Sequence, residues 1–166
     1  MNTVIRRMTL EDVPAVHEID TLSFSLPWPE RSFRFEVAEN MSTRAWVIET
    51  DGRIAAMLVL WLIVDEAHIA TIAVHPDFRR QGLGECLLLA ALEAASAEGA
   101  RRAFLEVRAG NAAAHAMYKK YNFVVDGVRP HYYKDNNEDA ILMSLEDLNT
   151  LQGNAPSCAH ANLKTE

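Results

Sequence analysis

Cysteine is nearly missing from this sequence: only Cys86 and Cys158 occur. One falls in a helical stretch and the other in a polar tail, so no disulfide is expected, in keeping with a reducing, cytoplasmic setting. Neither stands at a zinc-ligand spacing, and the six histidines are scattered, so no metal site is expected. Long apolar runs are missing too. The longest, Ile54 to Val64, is too short to span a bilayer. Arg6, Arg7, Glu11 and Asp12 interrupt any apolar stretch near the start, which removes a signal-peptide reading. Positive charge is in deficit: 16 Lys and Arg against 23 Asp and Glu leave a formal charge of −7. A broad basic surface for nucleic acid is therefore not expected, and neither is a membrane partner.

What is present is an apolar fraction of 49% in 166 residues, enough for one domain with a real core. The densest signal is Arg79-Arg80-Gln81-Gly82-Leu83-Gly84. It follows a strand-like run, Ile69 to Val74, and opens a helical run, Glu85 to Glu98. Two glycines let a backbone approach an anion without Cβ atoms in the way. The first N–H groups of the helix point outward with the positive end of its dipole behind them. Arg79 and Arg80 add formal charge, so the segment is read as a pyrophosphate grip. No Gly-Lys-Ser/Thr follows, which excludes a triphosphate loop. Cys86 and Leu87 stand where a dinucleotide fingerprint needs a third glycine.

The remaining pattern predicts a first strand at Val4–Arg6, a helix starting near Thr9, a break at Ser25–Pro29 and a second helix from Glu30 to about Glu39. Ala45–Ile48 and Ile54–Val64 read as strands joined by an Asp51-Gly52 hairpin turn. His68–Val74, Ala103–Val107, Phe123–Val128 and Ala140–Leu145 read as further strands. Gly99 closes the helix after the loop, and Asn111 caps another that runs to Tyr121. After Leu148 the composition turns polar and small, which predicts a disordered tail over 149–166 beside a domain over 1–148. The order predicts an α/β (α+β) domain: one mixed, mostly antiparallel sheet of about seven strands flanked by about four helices.

Arg-x-x-Gly-x-Gly in this setting resembles the acetyl-coenzyme A loop of the GNAT acetyltransferases. Asn111-Ala112-Ala113-Ala114-His115-Ala116-Met117-Tyr118, followed by Asn122-Phe123, is similar to that family's second signature, with Asn122 in place of a glycine. Asparagine is the next residue to tolerate a left-handed helix terminus. Within the family the chain resembles the RimI-type protein N-terminal acetyltransferases. Ile72-Ala73-Val74-His75-Pro76 through Gly84, Leu105-Glu106-Val107-Arg108 through Tyr118, and Tyr132-Tyr133 through Glu138-Asp139-Ala140 carry the likeness. The corner Ser23 to Trp28 adds to it. The resemblance implies a GNAT fold and transfer of acetyl from acetyl-CoA, a co-substrate, to the α-amine of a protein N-terminus such as that of a ribosomal protein.

Glu106 sits near the end of an apolar strand and is the candidate general base; a side chain that points to solvent, or that pairs with Arg108 or a water cluster, is the structural alternative. An α-amine has a pKa near 7.7–8.0 and a lysine one near 10.4, so activating lysine would cost about 3.4 kcal/mol more. A carboxylate base therefore suits an α-amine better. Tyr118 is the candidate general acid to the leaving sulfur, since a phenol stays protonated at neutral pH. Core packing alone would also explain it. The resemblance further implies coenzyme contacts from Ile72, Ala73, Val74, Arg79, Arg80, Gln81, Gly82, Leu83, Gly84, Glu85 and Asn111. It also implies acceptor contacts from Leu26, Pro27, Trp28, Tyr132 and Tyr133. Acetylation of lysine or small amines, and a non-catalytic acetyl-CoA-binding module, are the alternative functions.

Overall fold

The computed structural model describes residues 2–151 and the backbone of 161–163. The strands are β1 (Thr3–Arg7), β2 (Thr43–Thr50), β3 (Arg53–Ile63), β4 (Glu66–Val74), β5 (Arg102–Arg108), β6 (Val124–Arg129), β7 (Ala140–Leu145) and β8 (Ala161–Leu163). The α-helices are α1 (Val13–Ser23), α2 (Glu30–Ala38), α3 (Leu83–Ala97) and α4 (Ala112–Lys120). All strands join one sheet in the order β6-β7-β5-β4-β3-β2-β1-β8. Pairing is antiparallel except for β4 with β5 and β1 with β8.

Local chemistry sets the element ends. Asp51 and Gly52 both take positive φ, 49° and 81°, as a two-residue hairpin between β2 and β3 demands. Pro14 lies in the first turn of α1, where its missing N–H costs nothing. Asn111 accepts a hydrogen bond from Ala114 N at 3.2 Å and so caps α4. Asn122 has φ 69°, the left-handed terminus that Asn tolerates.

The sheet separates two apolar layers. On one side Trp46, Leu58, Leu60, Leu105 and Val107 pack with Leu87, Leu88 and Leu92 of α3 and Tyr118 of α4. On the other, Val47, Met57 and Val59 pack with Val13, Val16 and Ile19 of α1 and Phe33 of α2. A fully buried Leu or Ile stabilises by roughly 1.5–3 kcal/mol relative to exposure, so these layers fix where each strand lies. A buried carboxylate, Glu36, ties α2 to the sheet by accepting hydrogen bonds from Asn40, Thr43 and Trp61.

Two findings differ from the sequence reading. An eighth strand, β8, pairs with β1 inside the segment expected as a tail, and Leu148–Leu151 forms a 3-10 turn. The rest of that segment, with Cys158, lies outside the described residues. Cys86 is buried and disulfide-bonded, against the expectation of reduced thiols.

One irregularity shapes the middle of the sheet. The β3–β4 register shifts between Val59 and Leu60, which leaves Ala70 as the extra residue of a bulge. The parallel β4–β5 ladder stops one residue earlier, at Ile69 opposite Leu105. Beyond that point β4 runs on to Val74 beside β3 alone, and β5 runs on to Arg108 beside β7 alone. The two central strands thus part and leave a notch between them.

Candidate active site

The β4 edge of the notch is main chain. Ile72, Ala73 and Val74 pair with Leu58, Met57 and Ala56 of β3, and their other edge faces the gap. From Val74 the chain passes through the 3-10 turn Pro76–Phe78 into the loop 79–82 and α3. Gly82 caps α3 at φ 74°, and Arg80 before it is also left-handed at φ 64°. That path leaves the N–H groups from Arg80 to Glu85 without a protein acceptor among the described residues. The first intrahelical bond is Cys86 N to Gly82 O, at 3.1 Å. Six successive donors at a helix N-terminus can hold a pyrophosphate.

The two arginines divide their labour. Arg79 turns inward: its Nε donates to the Val74 carbonyl at 3.0 Å and its Nη2 to Ser23 Oγ at 3.2 Å. It braces the loop against β4 and α1. Arg80 is exposed and makes no hydrogen bond or ion pair among the described residues, so it is the arginine available to an anion. A Cβ at Gly84 would meet Val74 Cγ2 at 3.5 Å and Met117 Sδ at 3.9 Å, so this glycine lies against the packing between β4 and α4. The Glu85 carboxylate is bonded to Lys120, the last residue of α4, and to Tyr121 just after it, and the Tyr121 hydrogen bond holds its pKa down. What Glu85 offers a ligand is its main-chain N–H.

Two side chains flank the point where the strands part. Leu105 and Val107 face the α3 layer, so Glu106 between them projects from the opposite face. Its one partner among the described residues is Arg129, Nη1 to Oε1 3.2 Å. Tyr118 comes from α4 on the other face, 4% exposed and tilted against Phe123 at 5.6 Å between centroids. Burial pushes its phenol pKa well above the ordinary value, so it stays protonated. Its hydroxyl bonds to no protein group among the described residues. A carboxylate on one face and a protonated phenol on the other are the pair needed to take a proton from an attacking amine and give one to a leaving group.

The two segments expected to meet an acceptor lie over the Glu106 face. Leu26 and Pro27 are exposed at the α1–α2 corner, and Trp28 packs on Phe33 with centroids 5.1 Å apart. Asp20, 1% exposed, fixes that corner by accepting from Trp28 N at 2.7 Å; burial raises its pKa. Opposite lies the loop 130–139. Tyr132 and Tyr133 meet edge to face at 5.2 Å; Tyr132 is exposed, while Tyr133 lies beneath the Arg108 guanidinium at 3.9 Å. Of the two, Tyr132 is thus the one whose ring is open to solvent. His131 is tied into its own loop through Asp139 and Asn137.

A charged clasp, unforeseen in the sequence, joins the two walls. Arg108 donates to Asp135 from both Nη atoms, at 3.0 and 3.1 Å, and pairs with Glu138 at 3.4 Å. Ser25 of the corner donates to the same Asp135. The Ser25 hydroxyl and the Arg108 guanidinium hold the Asp135 carboxyl down to about 2. Asp20 carried a readable signal: an acid on the Val16–Ile19 apolar face, just before a proline-rich corner. The clasp carried none, because Ser25 and Asp135 are 110 residues apart. A separate cleft lined by Arg101, Glu146 and Asp147 lies at the other end of β5 and contains none of the expected site residues. No group of three His, Cys, Asp or Glu side chains among the described residues is placed to hold a metal ion. No described helix is long and apolar enough to cross a membrane.

Comparison with known proteins gives a consistent picture. Residues 13–123 match the acetyltransferase (GNAT) family. The [ribosomal protein bS18]-alanine N-acetyltransferase of Escherichia coli (strain K12) is 37% identical over 147 residues, covering 87% of this chain and 97% of that one. A Bacillus subtilis (strain 168) relative bearing the same activity as a provisional name is 43% identical over 139 residues, covering 84% and 92%. The crystal structure of the E. coli ribosomal-protein-S18-alanine N-acetyltransferase superposes with TM-score 0.80 at 34% identity, covering 86% and 92%.

Proposed function

This chain belongs to the acetyltransferase (GNAT) family, and we propose that it transfers acetyl from acetyl-CoA to the α-amine of a protein N-terminus, an alanine-led ribosomal protein being the acceptor class its relatives' names suggest. The observation that carries the reading is the parting of β4 and β5 at Ile69 and Leu105 with Glu106 and Tyr118 on its two sides. In it the pyrophosphate lies on the N–H groups of Arg80 to Glu85, with Arg80 adding charge. The pantetheine arm follows the free edge of Ile72–Val74, and a main-chain N–H there faces the thioester carbonyl.

The amine arrives between the Leu26–Trp28 corner and Tyr132. Glu106 takes its proton, directly or through water, as nitrogen bonds to the carbonyl carbon. The carbon–sulfur bond then breaks, and Tyr118 gives its proton to the departing thiolate. A tyrosine kept protonated by burial suits that role. The test is intact-mass measurement on peptides that each carry a lysine, with the N-terminus free or blocked. Acetyl gain confined to the free peptides is expected. Gain on the blocked peptides would move the acceptor to lysine.

A further inference from the structure

Among the described residues, Arg129 is the one charged side chain brought onto Glu106. Across the sheet, Arg108, Ala140 and Arg129 form one row of residues, and Glu106, Leu142 and Gly127 form the next row on the same face, two residues along each strand. Gly127 offers no side chain, so Arg129 reaches diagonally over that space to the carboxylate, at 3.2 Å. Arg108, the other cation nearby, is already engaged by Asp135 and Glu138. Arg129 is held by little else. Its side chain is 53% exposed, and among the described residues its other side-chain contact is the Tyr132 ring at 5.6 Å. Tyr132 belongs to the acceptor wall, so the guanidinium stands at the mouth through which an amine would reach Glu106.

An incoming N-terminus carries an ammonium, and two cations on one carboxylate repel. A guanidinium does not lose its proton in a protein, so it cannot itself become the nucleophile. We propose that Arg129 is the resting counter-ion of Glu106, a positioning residue that occupies the carboxylate until the acceptor's ammonium displaces it; this rests on the reading of Glu106 as the base. Once displaced, the guanidinium keeps its place over Tyr132, outside the reacting atoms. Binding therefore exchanges one cation for another on the same carboxylate.

Steady-state kinetics of Arg129→Gln with acetyl-CoA and an alanine-led peptide test this. With the competing cation gone, the peptide KM should fall about two- to fivefold, the scale of a half-exposed ion pair, while kcat does not follow. Arg129→Lys should return the KM to the wild-type value. An unchanged or raised KM in Arg129→Gln overturns the proposal, and so does a Lys variant that behaves like the Gln variant. Calorimetric acetyl-CoA affinity equal to wild type shows that each variant is folded. Glu106→Gln measured alongside separates the two claims. Full turnover there removes the base assignment itself, whereas lost turnover with an unmoved KM in Arg129→Gln removes only the counter-ion.

Discussion

Along β4 and into α3 the notch is lined by main-chain groups whose positions follow from apolar packing, whereas its other side is closed by side chains that meet through exposed charge. Leu87, Leu88 and Leu92 are almost fully buried, and they hold α3 with its unspent N–H groups against the sheet. On the other side, Trp28 reaches the opposite apolar layer through Phe33, while Leu26 and Tyr132 stand exposed. Ser25, Asp135, Arg108 and Glu138 hold these segments together near solvent. The proposed donor grip is thus built mostly of main-chain groups, and the proposed acceptor wall of side chains held together by charge.

The sharpest separation of the two halves comes from the residues between them. Glu106→Gln should lower kcat by on the order of 10²–10⁴ while calorimetric affinity for acetyl-CoA is retained. Loss of donor affinity would mean that Glu106 belongs to the donor half. Tyr118→Phe should lower kcat about a hundredfold. The phenol bonds to no described protein group, so its thermal midpoint should stay close to wild type; a large fall in stability with unchanged turnover would reduce Tyr118 to core packing.

Gly82→Val forces a β-branched residue into the left-handed region, at about 1–2 kcal/mol. Acetyl-CoA affinity should drop roughly 5- to 30-fold by calorimetry, with the peptide KM unmoved. A change confined to the peptide would break the proposed division. Arg108→Gln is the converse experiment: the peptide KM should rise several-fold and acetyl-CoA affinity should not. The smallest effect concerns pH. The native Asp135 carboxyl lies at about 2, below its unfolded value near 3.9. What the clasp contributes is thus complete above about pH 4 and lost only as pH falls towards 2. Between pH 8 and 5 the Arg108→Gln effect on KM should be constant, and a strong drift in that window would point to another titrating group.

The same contrast explains what could be read from the sequence. The donor half is nearly continuous in the chain, from Ile72 to Glu85, and turn chemistry, apolar periodicity and resemblance to the GNAT loop all bear on it. Hairpin, caps and strand order followed from the same local rules. Even there, the direction of Arg79 towards Val74 and of Gly84 towards Met117 required the packed neighbours. On the other side, the expectation of acceptor contacts from Leu26–Trp28, Tyr132 and Tyr133 rests on resemblance alone. Arg108, Asp135 and Ser25 look like ordinary surface residues until the fold brings them together. β8 follows a polar stretch, so no hydrophobic period announces it.

The most direct measurement is a crystal structure with a CoA–peptide conjugate in which the sulfur is linked to the peptide's α-nitrogen. The account expects the pyrophosphate on the amides of Arg80 to Glu85, and the sulfur between β4 and β5 within hydrogen-bond reach of the Tyr118 hydroxyl. The α-nitrogen should face Glu106, directly or through one water. A conjugate bound elsewhere, or bound in the notch with Glu106 and Tyr118 turned away from sulfur and nitrogen, would contradict it.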